Sequence, residues 1–170
     1  MKTSRIYEET PQLLSFIDTC SKLSYNNNSS LQSMKFDWCL ETGGAWFITC
    51  NASDEIISLS GIHPFKDGFR VLFRGVQLYP RKIGINKYHM QSHCFYYQLP
   101  YQIEFADNKP MYITTNVIND ASGKMTRIDK TFHHLENSGL VKHCGQDVIY
   151  NTLQNVWLLN TEKYFEKRNK

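Results

Sequence analysis

The chain has 170 residues, of which 41% are hydrophobic and 14% aromatic, which is material for one packed domain spanning residues 1–170. Its net charge of +3, from 19 basic and 16 acidic residues, suits a soluble protein and does not by itself indicate nucleic-acid binding. No apolar signal region or membrane-length apolar run is present, and the five cysteines lack CxxC spacing. These features predict a soluble, cytoplasmic protein with reduced thiols and no membrane partner.

The N-terminal part of the chain predicts two helices. Thr10-Pro11 is a good helix start, because threonine caps a helix and proline suits its first position. The apolar residues that follow recur at helical spacing: Leu13, Phe16, Ile17, Cys20 and Leu23. The first helix therefore spans roughly residues 11–24, and a less regular one is expected within residues 31–40. Residues 4–8 are a candidate for a short strand ahead of both.

From Thr42-Gly43-Gly44 onward the apolar period changes from helical to extended. Three strands are predicted at residues 45–51, 55–63 and 70–79, with turns at residues 52–54 and 64–68. Short connections of this kind join antiparallel neighbours, so the three strands form a meander. A helix-like segment follows at residues 87–98, and Leu99-Pro100 is expected to end it.

Residues 111–118 are rich in β-branched side chains and predict a strand. Because a helical crossover precedes it, this strand should lie parallel to strand 70–79. A long helix comes next, with apolar residues on one face and Gly139 at its end. Strands 148–150 and 155–159 form a closing hairpin, and the charged residues 162–170 are expected to be a solvated end. The predicted fold class is α/β: a mixed sheet, an antiparallel meander extended by a parallel strand, with helices on both faces.

The turn that follows strand 70–79 has the chemistry of a phosphate-binding site. A strand, a glycine-bearing turn and a helix in that order present free backbone N–H groups and the positive end of a helix dipole. Arg81 and Lys82 add positive charge beside Gly84. An ordinary cationic surface turn is the alternative interpretation.

Over residues 4–160 the order of elements resembles the GNAT superfamily of N-acetyltransferases. The pyrophosphate loop of that family has the pattern Gln/Arg-x-x-Gly-x-Gly/Ala, and residues 81–86 match it at Arg81 and Gly84 and depart from it at Asn86. Residues 112–116, followed by Asn119 and Ala121, are similar to the family's strand and its Asn-x-x-Ala helix opening, with a spacing one residue short. Residues 135–140 look like the end of its fourth helix.

The resemblance implies acetyl-CoA as co-substrate and transfer of its acetyl group to a primary amine by direct attack. The residues implied in binding the pyrophosphate are Arg81, Lys82, Ile83, Gly84, Ile85 and Asn86, with Asn119 as a further cofactor contact. Unpaired backbone groups of Gln77, Leu78 and Tyr79 would hold the pantetheine arm like an added strand. The expected acceptor is a small molecule or a peptide amine, and a homodimer is compatible with this scheme.

The family often uses a carboxylate on the central strand as base and a tyrosine four residues before the final helix glycine as acid. Here the strand carries Arg70, Arg74 and Gln77 and no carboxylate, and the acid position holds Leu135. The residues that could replace them are His63, Glu55, Tyr79, Tyr112 and Ser122. From these we predict catalytic roles for His63, Tyr112 and Ser122, with His63 as base through a water chain. Simple packing of His63 at a strand end is the alternative.

Two further interpretations of the sequence remain open. The missing carboxylate and tyrosine favour a GNAT-like binding module without catalysis, and the basic strand with its aromatic residues is the alternative of a nucleic-acid-binding or nucleic-acid-modifying protein. His89, His93 and Cys94 could share one helix face and hold a metal, but no second cluster has compatible spacing, so no metal is predicted. The three tryptophans, Trp38, Trp46 and Trp157, are expected in the core.

Overall fold

The computed structural model describes residues 1–24, 36–76, 94–117, 127–149 and 151–169. The helices in these ranges are α1 (Pro11–Ser24), α2 (Phe36–Glu41), α3 (Leu99–Ala106), α4 (Arg127–Asn137) and α5 (Thr161–Arg168). The strands are β1 (Lys2–Ile6), β2 (Ala45–Cys50), β3 (Ile56–Phe65), β4 (Gly68–Val76), β5 (Met111–Asn116), β6 (Val141–Ile149) and β7 (Thr152–Leu159).

The strands form one mixed sheet of seven, in the order β1-β2-β3-β4-β5-β7-β6. Strand β5 runs parallel to β4, with Phe69 opposite Met111 and Arg70 opposite Tyr112. β1 with β2, β2 with β3, β5 with β7 and β6 with β7 are antiparallel pairs. The predicted fold class, an antiparallel meander extended by a parallel strand, is therefore confirmed.

By its internal contacts the chain divides into two compact units. The first comprises Met1–Pro64 and Val71–Phe105, and the second comprises Phe65–Arg70 and Ala106–Lys170. The single domain expected from the length stays a prediction.

The first unit packs helices on both faces of its strands, because β3 alternates apolar side chains with hydroxyls. Trp46 and Leu59 face the buried stripe of α1, which includes Leu13 and Phe16. The indole of Trp46 stacks on Phe36 with ring centroids 5.5 Å apart, and its Nε1 donates to the Phe36 carbonyl over 3.0 Å. Thr49, Ser58 and Ser60 face the opposite side, where the chain from residue 94 through α3 covers them.

Helix α1 has the predicted bounds and the predicted cap. The Leu13 amide donates to the Thr10 hydroxyl over 3.2 Å, and the Leu14 amide donates to the Thr10 carbonyl over 2.9 Å. Gly139 ends α4 as predicted, with φ of +71°. The Leu140 amide there donates to the Leu135 carbonyl over 3.0 Å.

Three local predictions were wrong, and one further helix was missed. Residues 94–97 are helical and end in a turn at Gln98, as predicted, but Leu99-Pro100 then begins helix α3, which was not predicted. Proline is tolerated there, because in a first turn it lacks only an N–H that would have no partner within the helix. The turn predicted over residues 64–68 is confined to Lys66 and Asp67, since β3 continues to Phe65.

The C-terminal segment, predicted to be a solvated end, forms helix α5. Its N-terminus is capped by Asn160, whose Oδ1 accepts from the Lys163 amide over 3.0 Å, and its Tyr164 is buried. Trp38 is 41% exposed, whereas Trp46 and Trp157 are in the core as expected.

Candidate functional site

Most of the predicted site residues lie outside the described residues. These are the cofactor-binding set Gln77, Leu78, Tyr79, Arg81, Lys82, Ile83, Gly84, Ile85, Asn86 and Asn119, together with Ser122 and the histidines His89 and His93. The structure describes the other two catalytic candidates. His63 belongs to the first compact unit and Tyr112 to the second.

Tyr112 is 8% exposed, near the start of β5. Its hydroxyl donates to Oδ1 of Asp67, in the turn before β4, over 2.6 Å. The ring of Phe65 meets the phenol edge-on with centroids 5.7 Å apart. The hydrogen bond to Asp67, followed by burial, raises the pKa of Tyr112 to about 12. The phenol proton of Tyr112 is thus engaged in the hydrogen bond to Asp67.

His63 lies near the end of β3 and is buried. Its ring contacts the half-exposed indole of Trp38 on α2, with centroids 4.9 Å apart. Burial of the imidazole at a strand end is compatible both with the predicted base and with the packing role. The contact shows that residues of α2 form part of the surroundings of His63.

Arg70 is a buried cation on the central strand. Only 6% of its surface is exposed, and its guanidinium lies 5.9 Å from the centre of the Phe65 ring. A buried guanidinium is unavailable for a solvent-facing basic surface, so Arg70 does not support the nucleic-acid interpretation. The sequence of β4, Gly68–Val76, contains no carboxylate.

A buried network of amides and hydroxyls fixes the segment before α3 to the strands of the first unit. Gln98 Nε2 donates to the carbonyl and the hydroxyl of Ser58, over 3.0 Å and 2.9 Å. The Ser60 hydroxyl donates to Gln98 Oε1 and accepts from Gln102 Nε2, the latter over 2.8 Å. These four side chains are fully buried, so their hydrogen bonds fix the register of α3 against β3.

The second unit contains a buried carboxylate that the sequence did not reveal as part of a site. Asp129, in the first turn of α4, is fully buried. Its Oδ1 accepts from the Thr115 hydroxyl and from Asn155 Nδ2, the latter over 2.8 Å. Thr115 in turn accepts from Trp157 Nε1 over 2.8 Å. Oδ1 of this buried carboxylate is thus paired with one hydroxyl donor and one amide donor.

Two imidazoles are attached to the same network. His133 Nε2 lies 3.5 Å from Oδ2 of Asp129, and His143 Nε2 lies 2.9 Å from Oδ1 of Asn155. Each ring contacts the indole of Trp157 at a centroid distance of 4.9 Å. In the sequence, the spacing of Asp129 and His133 by four on a helix was the available signal. Their meeting with His143 depends on the pairing of β6 with β7.

Two kinds of feature are absent from the described part of the chain. None of its helices is long and apolar enough to cross a membrane. Within the same ranges, no three or more His, Cys, Asp and Glu side chains are grouped as a metal site would require.

The fold is similar to that of solved N-acetyltransferase structures. No protein-family model matches the chain, and no curated protein matches it significantly. Among solved structures, it is similar to an aminoglycoside 6'-N-acetyltransferase complexed with coenzyme A, with 13% identity, 93% of this chain and 95% of that chain covered, and a TM-score of 0.58.

Two other N-acetyltransferases have the same architecture. A chimera of the spermidine N-acetyltransferase SpeG from Vibrio cholerae and hSSAT is 11% identical, with 98% and 99% covered and a TM-score of 0.60. The aminoglycoside 6'-N-acetyltransferase from Enterococcus faecium is 12% identical, with 93% and 95% covered and a TM-score of 0.56. The resemblance to the GNAT superfamily is thereby confirmed at the level of the fold.

Proposed function

We propose that this chain, which has the fold of the GNAT N-acetyltransferases, transfers the acetyl group of acetyl-CoA to a primary amine. The observation that carries the proposal is its likeness to the acetyltransferase complexed with coenzyme A, which extends over 93% of the chain. A fold by itself hosts several chemistries, so the chain's own residues must supply a cofactor loop and a route for protons.

The cofactor loop is proposed directly after the carboxyl end of strand β4. Residues 77–86 follow the end of β4, and Asn119 follows the end of β5. Ligands of sheets with parallel strands bind at such ends. In this scheme the backbone amides around Gly84 bind the pyrophosphate with Arg81 and Lys82, while residues 77–79 bind the pantetheine arm.

The acceptor is proposed to be a small-molecule amine. The similar structures are acetyltransferases of aminoglycosides and of spermidine, which are both polyamines in the chemical sense. An acceptor of this kind is protonated at neutral pH, so the reaction requires loss of a proton from the ammonium before attack on the thioester carbon.

The proton route uses His63 as base, through water, with Tyr112 or Ser122 protonating the leaving thiolate. The amine nitrogen forms a bond to the thioester carbon, the carbon–sulfur bond breaks, and the thiolate takes a proton. Tyr112 has its proton engaged by Asp67 and a raised pKa, so it is a weaker proton donor than an ordinary tyrosine. Ser122 is the other candidate, and solvent is the remaining proton source.

The test is turnover with acetyl-CoA and two acceptors, spermidine and an aminoglycoside. We expect release of free thiol in equal amount to acetylated amine, measured by thiol reagent and mass spectrometry. Gly84→Glu should abolish cofactor binding, because a carboxylate side chain meets the pyrophosphate oxygens. Gly145→Glu is the matched control, since a Cβ at Gly145 has no neighbour within 4 Å. Absence of CoA binding to the parent protein would refute the proposal.

A binding module that keeps the acyl-CoA site without catalysis is the second candidate. It is favoured by the absence of a carboxylate in the β4 sequence and by Leu135 at the position where the family has a tyrosine. Saturable acetyl-CoA binding that requires Gly84, with no acetylation of either acceptor, selects this candidate. Turnover that falls at least about tenfold in His63→Gln, with acetyl-CoA affinity unchanged, selects the enzyme.

A further inference from the structure

Trp38 is a solvent-exposed tryptophan on α2, in the first compact unit. It is 41% exposed, whereas the other two tryptophans of the chain, Trp46 and Trp157, are almost fully buried. A single exposed apolar side chain is ordinary and needs no function to explain it. Trp38 is unusual because of the residues around it, which belong to the same unit.

The indole of Trp38 contacts the residue that we propose as the base. The ring centroids of Trp38 and His63 are 4.9 Å apart, and the two ring planes are inclined by 60°. His63 itself is only 5% exposed. A ligand that covers the exposed part of the indole therefore lies beside the proposed base.

The side chains next to Trp38 on α2 are negatively charged. The helix carries two carboxylates, Asp37 and Glu41, and no basic residue. Glu41 is three residues from Trp38, so their side chains are neighbours on the helix surface. Burial, followed by the charge of Asp37, raises the pKa of Glu9, on the chain between β1 and α1. Oε1 of Glu9 is buried and has no hydrogen-bond partner among the described residues. These charges favour a cationic ligand.

The indole is the side chain whose ring face attracts a cation most strongly, and the attraction extends to about 6 Å from the ring centroid. The amine that reacts must be neutral when it attacks, so a charge bound by Trp38 belongs to a second amine of the same molecule. Two amines joined by three or four methylene groups are about 5–6 Å apart. This length is close to the 4.9 Å between the rings of Trp38 and His63.

We propose that Trp38 determines acceptor specificity by binding a second ammonium group of the acceptor through a cation–π contact, while the reacting amine lies at His63. The inference rests on the proposed acetyl transfer and narrows its acceptors to diamines and polyamines. A monoamine has no second charge for the indole to bind, so it is the poorer acceptor.

The kinetic test compares spermidine with butylamine as acceptors at saturating acetyl-CoA. Trp38→Leu should raise KM for spermidine at least about fivefold and change kcat less than about twofold, because the contact is the same before and during the chemical step. KM for butylamine should change less than about twofold. Trp38→Phe keeps an aromatic face and should recover most of the affinity for spermidine.

Tyr101→Leu is the matched control. Tyr101 is on α3 of the same unit, is 44% exposed, and has its ring 6.5 Å from that of Phe47 between centroids. The substitution removes a similarly exposed aromatic ring from a different helix. We expect it to leave KM for both acceptors unchanged.

A binding measurement separates this inference from the proposed function. Because Trp46 and Trp157 are 1% and 0% exposed, quenching of tryptophan fluorescence by acrylamide reports mainly on Trp38. Spermidine should protect Trp38 from the quencher in a saturable way, and butylamine at equal ionic strength should not. Protection without turnover would refute the acetyl transfer and support the cation site. Absence of protection, or turnover of spermidine with the same KM in Trp38→Leu as in the parent, would overturn the site.

Discussion

The carboxylate of Asp67 holds the phenol of Tyr112 in its protonated form. An unperturbed tyrosine titrates near pH 10, and this contact raises the pKa of Tyr112 to about 12. A pKa raised by folding stabilises the native state fully below about pH 10, and the contribution is lost as the pH rises through about 12. Asp67→Asn should therefore lower the pKa of Tyr112, since the neutral amide no longer opposes the phenolate.

The titration is measured from the ring carbon that bears the hydroxyl, by ¹³C NMR, with Tyr112→Phe to assign the signal. Asp147→Asn, which removes another carboxylate of the same unit, is the control and should leave the titration of Tyr112 unchanged. An unaltered pKa in Asp67→Asn would show that the hydrogen bond is absent in solution.

The five cysteines differ in burial, and their thiol reactivity should follow it. Burial raises the pKa of both Cys20 and Cys94 to about 12, and Cys39 is also buried. Cys144 is exposed on β6. Because the thiolate is the reactive species, an aromatic disulfide reagent should modify one thiol rapidly in the native protein at neutral pH. Cys144→Ser should remove that rapid phase, and rapid modification of Cys20 or Cys94 would contradict the burial.

At the scale of elements, the start of β4 depends on the absence of a side chain at Gly68. A Cβ there would lie 2.0 Å from the carbonyl oxygen of Pro110, which accepts from the Phe69 amide over 2.9 Å. Gly68→Ala should displace this carbonyl beside the parallel pairing of β4 with β5 and lower the free energy of unfolding by about 2–4 kcal/mol.

Gly145→Ala provides the comparison for Gly68→Ala. Its added methyl group meets nothing within 4 Å, and only the positive φ of +96° opposes it. We expect a loss of about 1 kcal/mol in urea unfolding for this variant. Equal losses for the two substitutions would mean that the contact of Gly68 with Pro110 does not control β4.

The sequence predicted correctly those elements whose caps and apolar spacing lie within or next to the element itself. Helix α1 has its cap at Thr10, its proline at Pro11 and an apolar stripe, and the structure reproduces all three. Helix α5 was missed, although Asn160 followed by Glu162 in the first turn is a recognisable N-terminus, because the high charge of residues 162–170 suggested a solvated end.

At the scale of the whole molecule, acetyl-CoA should stabilise the protein by binding the native state. At a free concentration of about 100 times Kd, the stabilisation is about 2.7 kcal/mol, which for this size raises Tm by about 5–11 °C. An acetyl thioester of cysteamine lacks the pyrophosphate and should give no shift at the same concentration. A shift with the short thioester equal to that with acetyl-CoA would argue against the proposed phosphate loop. Differential scanning calorimetry measures both.

The order of elements was determined by the sequence alone, and with it the mixed α/β sheet and the resemblance to the GNAT fold. The spacing of apolar residues that distinguishes strands from helices is a local property of the sequence. Two strands joined by a helical crossover usually pair in parallel, so the order of elements predicts the parallel pair. The candidate cofactor loop was likewise read from consecutive residues, 81–86, and stays a prediction for them.

The tertiary structure alone decided which distant side chains meet. Asp67 and Tyr112 are 45 residues apart, and Asn155 and Asp129 are 26 apart. Their hydrogen bonds depend on strand register and on the face that each strand buries, and a shift of one residue would send every side chain to the other face. For the same reason His133 on α4 and His143 on β6 become neighbours only when β6 pairs with β7.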